Sequence, residues 1–119
     1  MRADNKEQES RPWGYYIVLG EQADFKVKKT VIRPGLRLSL QRHQYRREHW
    51  YILQGRALVT LGERTFELAV GRSIDIPRES LHRIENIGGD DVVFIEIQTG
   101  DYFGEDDIVR LEDDFGRVS

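Results

Sequence analysis

Short runs of apolar and β-branched residues recur between residues 13 and 98, and glycine or proline separates most of them. These runs predict strands at residues 15–19, 25–32, 36–41, 50–53, 57–61, 65–70, 73–76 and 92–98. Many short strands without intervening helical periodicity are typical of a β-sandwich or β-barrel. The pattern therefore predicts an all-β domain.

After residue 105 the apolar residues follow the period of a helix. Ile108, Leu111 and Phe115 fall at i, i+3 and i+7, which is one stripe of a helix. Acidic residues precede this stripe and Gly116 follows it, as the helix dipole and a C-cap favour. We predict a short C-terminal helix packed against the barrel.

Residues 50–53 are apolar on both faces of their predicted strand. Such a strand needs cover on both sides. The terminal segments or a second subunit could supply the outer cover, and of these two we expect a homodimer.

Composition narrows the class of protein. The 119 residues suit one domain, which we place at residues 11–119 after a polar tail at residues 1–10. A formal charge of −3 argues against nucleic-acid binding, and the absence of cysteine excludes disulfides and thiolate metal sites. The start lacks the apolar segment of a signal peptide, and no apolar run approaches the roughly 18 residues of a membrane span. We expect a cytoplasmic protein without a membrane or nucleic-acid partner.

All three histidines lie in or beside two short segments. Gln41 and His43 are i and i+2 on a strand, so both point to one face. Glu48 opens the next strand and His82 comes from a third, while His49 has the opposite parity to Glu48 and faces outward. The four inward side chains predict a site for a divalent transition metal, with room left for water or substrate. Zn, Mn, Co, Fe and Ni all suit such donors.

The spacing of these residues resembles the two motifs of the cupin superfamily, a double-stranded β-helix. The matching positions are Gly35, Gln41, His43, Glu48 and Gly55, then Gly71, Pro77, His82 and Asn86. Gln41 stands where the superfamily has its first histidine, and Glu79 stands where the second motif has glycine.

Further segments resemble one cupin family, the isomerase domain of type II phosphomannose isomerases. They are Arg-Pro-Trp-Gly at 11–14, Leu-Ser-Leu-Gln-Arg-His at 38–43, Arg-Arg-Glu-His-Trp at 46–50, Ile-Glu-Ile-Gln at 95–98 and Gly-Glu-Asp-Asp-Ile-Val-Arg at 104–110. In that family the glutamine at the first ligand position is itself part of the pattern. The domain usually forms the C-terminal half of bifunctional mannose-1-phosphate guanylyltransferases. This chain contains no glycine-rich nucleotide-binding segment, so we do not expect it to transfer GMP.

The resemblance implies metal-dependent interconversion of mannose 6-phosphate and fructose 6-phosphate, with a small phosphorylated sugar as the partner. Phosphate requires cations, and several lie near the ligand segments, including Arg42 and Arg47. The residues predicted to bind substrate are Lys28, Ser39, Arg46 and Arg83. For the catalytic base, position alone allows Glu96 or Glu85.

Arg110 has two interpretations. It lies off the stripe of the predicted terminal helix, where it could pair with Asp106 or Asp114 as an ordinary surface residue. The resemblance instead implies a catalytic arginine that holds the phosphate or the developing oxyanion, a role suited to the guanidinium fork.

Two other functions remain open. His43, Glu48 and His82 also compose the two-histidine, one-carboxylate triad of non-haem iron oxygenases. A cupin that binds a sugar or a metal without turnover is the second alternative.

Overall fold

The computed structural model describes residues 8–117, which fold almost entirely as strands. The strands are β1 (Gln8–Arg11), β2 (Gly14–Glu21), β3 (Phe25–Ile32), β4 (Leu40–His43), β5 (Arg46–Gln54), β6 (Ala57–Leu61), β7 (Arg64–Leu68), β8 (Ser73–Ile76), β9 (His82–Asn86), β10 (Val92–Gly100) and β11 (Ile108–Glu112). A single 3₁₀ turn at Glu105–Asp107 leads into β11.

The strands form two antiparallel sheets. The larger sheet has the order β1-β2-β3-β10-β5-β8, and the smaller has the order β11-β4-β9-β6-β7. Consecutive strands are often not neighbours, because the chain crosses repeatedly from one sheet to the other. This topology confirms the predicted all-β double-stranded β-helix.

The core lies between the inner faces of the two sheets. It contains Ile32, Trp50, Ile52, Val59, Val92 and Phe94, among other side chains. Alternation along each strand places these residues inside, and burying each large apolar side chain contributes about 1.5–3 kcal/mol to folding.

The predicted strands match the structure closely in the middle of the chain. The bounds of β3, β6 and β8 are those predicted. The strand expected at 36–41 instead begins at Leu40, because Leu36 and Leu38 exchange irregular backbone hydrogen bonds with residues of β9. Strand β9 carries His82 as expected, but its bounds were not among those predicted.

The predicted C-terminal helix is wrong. Residues 108–112 form strand β11, in which Ile108 pairs with His43 and Arg110 pairs with Gln41. The open edge of β4 offers unpaired backbone groups, and pairing with it satisfies both segments. The β-branched pair Ile108-Val109 also favours a strand over a helix. The local helical period was therefore outweighed by a contact with a distant part of the chain.

Strand β1 begins at Gln8, before the domain boundary expected at residue 11. The rest of the expected tail, residues 1–7, lies outside the described residues. Within residues 8–117 no helix is long and apolar enough to cross a membrane.

The two faces of β5 differ as its sequence suggested. Trp50 and Ile52 are buried between the sheets, whereas Tyr51 and Leu53 lie on the outer face with 42% and 45% of their surface exposed. No partner chain is needed to bury the inner face, so the expected homodimer would have to use the outer one.

Glu79 has a φ of 65°, the left-handed region that favours glycine. It occupies the position where the second cupin motif has glycine. Its backbone N–H donates to the carbonyl of His43 at 2.7 Å, which ties the second motif to the end of β4. Glu79 therefore adopts a backbone conformation that favours glycine, at the position where the motif has glycine.

Candidate metal-binding active site

Three predicted ligands converge between the sheets. One donor atom from each of His43, Glu48 and His82 lies within 4.8 Å of the other two. The three residues come from β4, β5 and β9, and each is almost completely buried. Their convergence is the arrangement predicted from spacing.

Gln41 lies beside this set, on β4 opposite His82. Its amide nitrogen donates to the hydroxyl of Ser39 at 3.0 Å. That bond engages the nitrogen, so the amide oxygen is the atom of this side chain left to act as a ligand. Ser39 thus orients Gln41, and it is not among the residues that line the cavity.

The imidazole of His82 is held by its Nδ1, which lies 2.9 Å from the carbonyl oxygen of Ser80. A carbonyl only accepts, so Nδ1 carries the proton and Nε2 is free to bind a metal. The ring also stacks on His43 with centroids 5.0 Å apart and meets the edge of Trp50.

Glu48 receives two side-chain hydrogen bonds. Trp50 donates to Oε1 at 2.9 Å and Arg46 donates through Nε to Oε2 at 3.0 Å. Burial acts to raise the pKa of Glu48, but the charge of Arg46 and the hydrogen bonds outweigh it, so the pKa is lowered. The residue is a carboxylate, the form that ligates metals.

His43 is neutral in the fold. Burial, followed by the nearby Arg46 and His82, lowers its pKa to about 2. Its Nδ1 lies 3.5 Å from Oε2 of Glu48, is buried and has no hydrogen-bond partner within residues 8–117. Its Nε2 accepts from Arg46 at 2.8 Å.

These residues fit a divalent transition metal. Two imidazoles, one carboxylate and one amide oxygen converge from three strands as a buried donor set. Zn, Mn, Co, Fe and Ni all accept such donors. The residues that would hold the ion are His43, Glu48 and His82, with Gln41 beside them.

Glu96 lies on β10, buried and next to Glu48. Burial, and then the negative charge of Glu48, raise its pKa, so its carboxyl group favours the neutral form. Gln98 donates to Oε2 of Glu96 at 2.7 Å. A carboxyl group with a raised pKa thus lies beside the candidate metal ligands, where the sequence predicted a catalytic carboxyl group.

The cavity that opens onto these groups is strongly cationic. The basic residues in its wall are Arg11, Lys28, Arg46, Arg83, Arg110 and Arg117. Glu48, Glu96 and Glu105 are its acidic residues, so the basic groups outnumber the acidic ones.

Most of these cations already have partners. Lys28 lies 3.5 Å from Glu105 and 4.0 Å above the ring of Tyr16. Arg83 donates to the carbonyl of Leu38 and to the side chain and backbone of Glu112. Arg83 therefore holds the end of β11, although the sequence suggested it as a substrate ligand.

Arg110 differs from the others. It is half-buried on β11, lines the same cavity as His82, and makes no ion pair with any residue from 8 to 117. Its Nε is buried without a hydrogen-bond partner in that range. Burial and then the charge of Arg117 lower the pKa of its guanidinium, so the surroundings disfavour the charged form. Pairing with Asp106 or Asp114, the alternative for Arg110, is not found.

Other basic and acidic residues suggested by the sequence lie elsewhere. Arg42 and Arg47 are exposed on outer faces. Glu85 alternates with the inward residues of β9 and does not line the cavity. His49 points outward and pairs with Asp75 at 2.7 Å, as its parity predicts.

Sequence reasoning overlooked several groups at the site, namely Arg11, Gln98 and Arg117. Gln98 could have been found, because it follows Glu96 by two residues and therefore shares its inward face. The two arginines reach the cavity from β1 and from the segment after β11. Arg11 begins one of the family segments, but no local pattern shows that either side chain lines the cavity.

Two antiparallel sheets that enclose a His–Glu–His donor set, with a glutamine beside it, define the chain as a cupin. The family model described as "Mannose-6-phosphate isomerase C-terminal" matches residues 2–113. The chain belongs to this family, which confirms the resemblance drawn from its motifs.

Named relatives agree with this membership. The chain is 47% identical over 109 residues to the alginate biosynthesis protein AlgA of Pseudomonas aeruginosa, covering 92% of this chain and 23% of AlgA. It is 43% identical over 102 residues to the mannose-1-phosphate guanylyltransferase RfbM of Salmonella typhimurium, covering 86% of this chain and 21% of RfbM. The chain thus spans less than a quarter of the length of these relatives.

Solved structures share the fold. The capsular polysaccharide assembling protein CapF of Staphylococcus aureus matches with a TM-score of 0.78 at 21% identity, over 90% of this chain and 34% of CapF. Oxalate decarboxylase of Bacillus subtilis, which has Mn(II) centres, matches with a TM-score of 0.79 at 24% identity, over 92% of this chain and 31% of the enzyme.

Proposed function

We propose that this chain is a metal-dependent isomerase that interconverts mannose 6-phosphate and fructose 6-phosphate. The observation that carries the proposal is one cavity lined by Glu48 and His82 of the donor set and by Arg110, a cation unpaired within residues 8–117. Membership of the isomerase family supports it. A sugar phosphate would use both features. Its hydroxyl and carbonyl oxygens could bind a metal held by the donor set, and its phosphate could pair with Arg110.

The reaction moves a proton between neighbouring carbons of the sugar. When bound, a divalent metal supplies Lewis-acid stabilisation of the charge that develops on the sugar oxygens. Burial and the charge of Glu48 raise the pKa of Glu96, which suits a group that both takes and returns a proton. We assign it the role of acid and base, with Gln98 holding its carboxyl group in place.

Arg110 is the group that we assign to the phosphate. Its guanidinium is partly desolvated and lies near a second arginine, so an incoming anion would relieve an existing repulsion. Arg46 and Lys28 would add to the positive potential of the cavity. Arg83 would act indirectly, by keeping β11 and therefore Arg110 in place.

The alternatives make different demands on the cavity. An iron-dependent oxygenase would use the same three ligands but would have no need of a buried cationic wall. A cupin that binds without turnover would have no need of a carboxyl group with a raised pKa, such as Glu96, next to Glu48. Cytoplasmic localisation and a homodimer formed through the outer face of β5 stay predictions, and light scattering would test the second.

A coupled assay that follows fructose 6-phosphate formed from mannose 6-phosphate, with Zn, Mn or Co added in turn, tests the proposal. We expect turnover with at least one metal and its loss in His43→Ala, while the outward-facing control His49→Ala keeps it. Tight substrate binding without turnover would favour the binding protein, and oxygen uptake by an Fe(II)-loaded sample would favour the oxygenase.

A further inference from the structure

The turn between β4 and β5 depends on a carboxylate from the other end of the chain. Asp107 is 8% exposed, and its two oxygens accept the backbone N–H groups of Gln44 at 3.0 Å and Tyr45 at 2.9 Å. Both oxygens are therefore engaged with one turn. Within residues 8–117, Asp107 forms no salt bridge and is not among the residues that line the cavity.

The residues on either side of this turn are metal ligands in the proposed site. His43 ends β4 immediately before Gln44, and Glu48 lies near the start of β5. The turn therefore sets the distance and orientation between two of the three donors. Ile108, which follows Asp107, pairs with His43 in the sheet, so one short segment holds the turn and the ligand strand together.

Hydrogen bonds to an ionised carboxylate are stronger than those to neutral acceptors. Two such bonds to successive amides fix a turn more tightly than one bond does. Without Asp107 both amides would lie partly buried without an acceptor, and the turn would relax into other conformations. The ligands on either side would then lose their preorganised spacing.

We propose that Asp107 is a positioning residue for the metal site: it fixes the β4–β5 turn and, through it, the relative placement of His43 and Glu48. This inference rests on the proposed metal-binding function but not on the identity of the substrate. It also links metal affinity to the segment that carries Arg110, because Asp107 and Arg110 lie within one short stretch leading into and along β11.

Asp113→Ala supplies a matched control. The Asp113 side chain is also fully buried and also accepts a backbone N–H in the C-terminal segment, from Arg117 at 2.7 Å. It has no hydrogen bond to the ligand turn. A general loss of order in this segment would therefore affect both variants, whereas a role in ligand placement would affect only Asp107.

The test compares the wild type, Asp107→Ala, Asp107→Asn and Asp113→Ala in the full chain. Co(II) affinity is measured by competition with a chelator, the visible spectrum of the Co(II)-saturated protein reports ligand geometry, and thermal melting reports stability. We expect Asp107→Ala to raise the Kd for Co(II) by about 10–100-fold, as supporting residues of metal sites do, and to change the spectrum. Asp107→Asn, which keeps one acceptor oxygen, should lie between it and the wild type.

Several results would overturn the proposal. A Kd for Co(II) that is unchanged in Asp107→Ala, or raised equally in Asp113→Ala, would show that the role is only structural. If Asp107→Ala does not fold, Asp107→Asn takes its place, and an unchanged Kd and spectrum in that variant would equally exclude a positioning role. A wild type that binds Co(II) tightly but does not isomerise mannose 6-phosphate would remove the proposed function and leave this inference standing, whereas a wild type that binds no metal would remove both.

Discussion

The two ends of the barrel interior have opposite chemistry, although the same strands build both. Strand β10 places Val92 and Phe94 at one end and Glu96 and Gln98 at the other. The neighbouring β5 changes in the same way, from Ile52 to Glu48, and the sheet register brings like residues to the same level. Each strand therefore carries an apolar half for packing and a polar half for chemistry.

Trp50 lies at the boundary between the two halves. Its ring packs on Phe94 toward the apolar end, and its Nε1 donates to Glu48 toward the polar end. A tryptophan suits this place because it combines a large apolar surface with one hydrogen-bond donor. The residues that stabilise this fold and those of the proposed site therefore lie at opposite ends of the same strands, and not on different sheets.

The largest effect should come from the apolar end. Ile32 is fully buried there, and Ile32→Ala should lower the free energy of unfolding by about 2–5 kcal/mol through lost burial and a cavity. The metal content of the folded protein should stay that of the wild type. The paired variant, His82→Ala, should lose most of its metal with a smaller change in stability.

Urea unfolding with a chelator present, together with elemental analysis of the folded protein, measures both quantities. If Ile32→Ala lost its metal as fully as His82→Ala does, the two ends would be coupled, and stability and function would not be separated along the strands.

The second-largest expected effect is a loss of stability at acidic pH. The pKa of His43 is about 2 in the folded state and about 6.5 when unfolded, so between these values the unfolded state binds more protons. The free energy of unfolding therefore falls as the pH drops below about 6.5, by at most about 1.4 kcal/mol per pH unit from this residue. Urea unfolding of metal-free protein at several pH values should show a steeper loss in the wild type than in His43→Gln.

The matched control for this measurement is His49→Gln, because His49 is partly exposed on the outer face. It should keep the acid dependence that His43→Gln removes. If the free energy of unfolding fell equally steeply with pH in the wild type and in His43→Gln, the buried neutral His43 would not be the source of the acid sensitivity.

The smallest expected effect is on catalysis alone. Arg110→Lys keeps a positive charge at the cavity wall but loses the fork that can hold two phosphate oxygens. Turnover of mannose 6-phosphate should fall by about tenfold, equivalent to about 1.4 kcal/mol in the barrier, while melting temperature and metal content stay unchanged. Unchanged turnover in the coupled assay would remove Arg110 from the proposed mechanism.

The proposed metal-ligand set was predictable because its information is local. Gln41 and His43 share a face by strand parity, and the spacing of Glu48 and His82 follows known motifs. The bounds of β9, the strand on which His82 was placed, were not predicted because only Ile84 is apolar among its five residues. The terminal helix was predicted wrongly because the partner of β11 is β4, which lies far away in the sequence.

The contacts of individual cations were not predictable for a similar reason. Arg83 and Arg110 look alike in the sequence as basic residues near the site. In the structure Arg83 is occupied by Leu38 and Glu112, whereas Arg110 is unpaired within residues 8–117. Which cation is free depends on carboxylates brought in by other strands.

The pairing of β11 with β4 also has a consequence for folding during synthesis. Strands β4, β5 and β9, which carry the proposed metal ligands, are synthesised before Asp107 and Ile108. The turn after His43 therefore lacks its carboxylate acceptor until Asp107 has been made. Closing so long a loop is slow compared with forming a hairpin. The nascent chain should therefore pass through a stage in which the ligands are present but not yet arranged, and metal capture should follow the docking of β11.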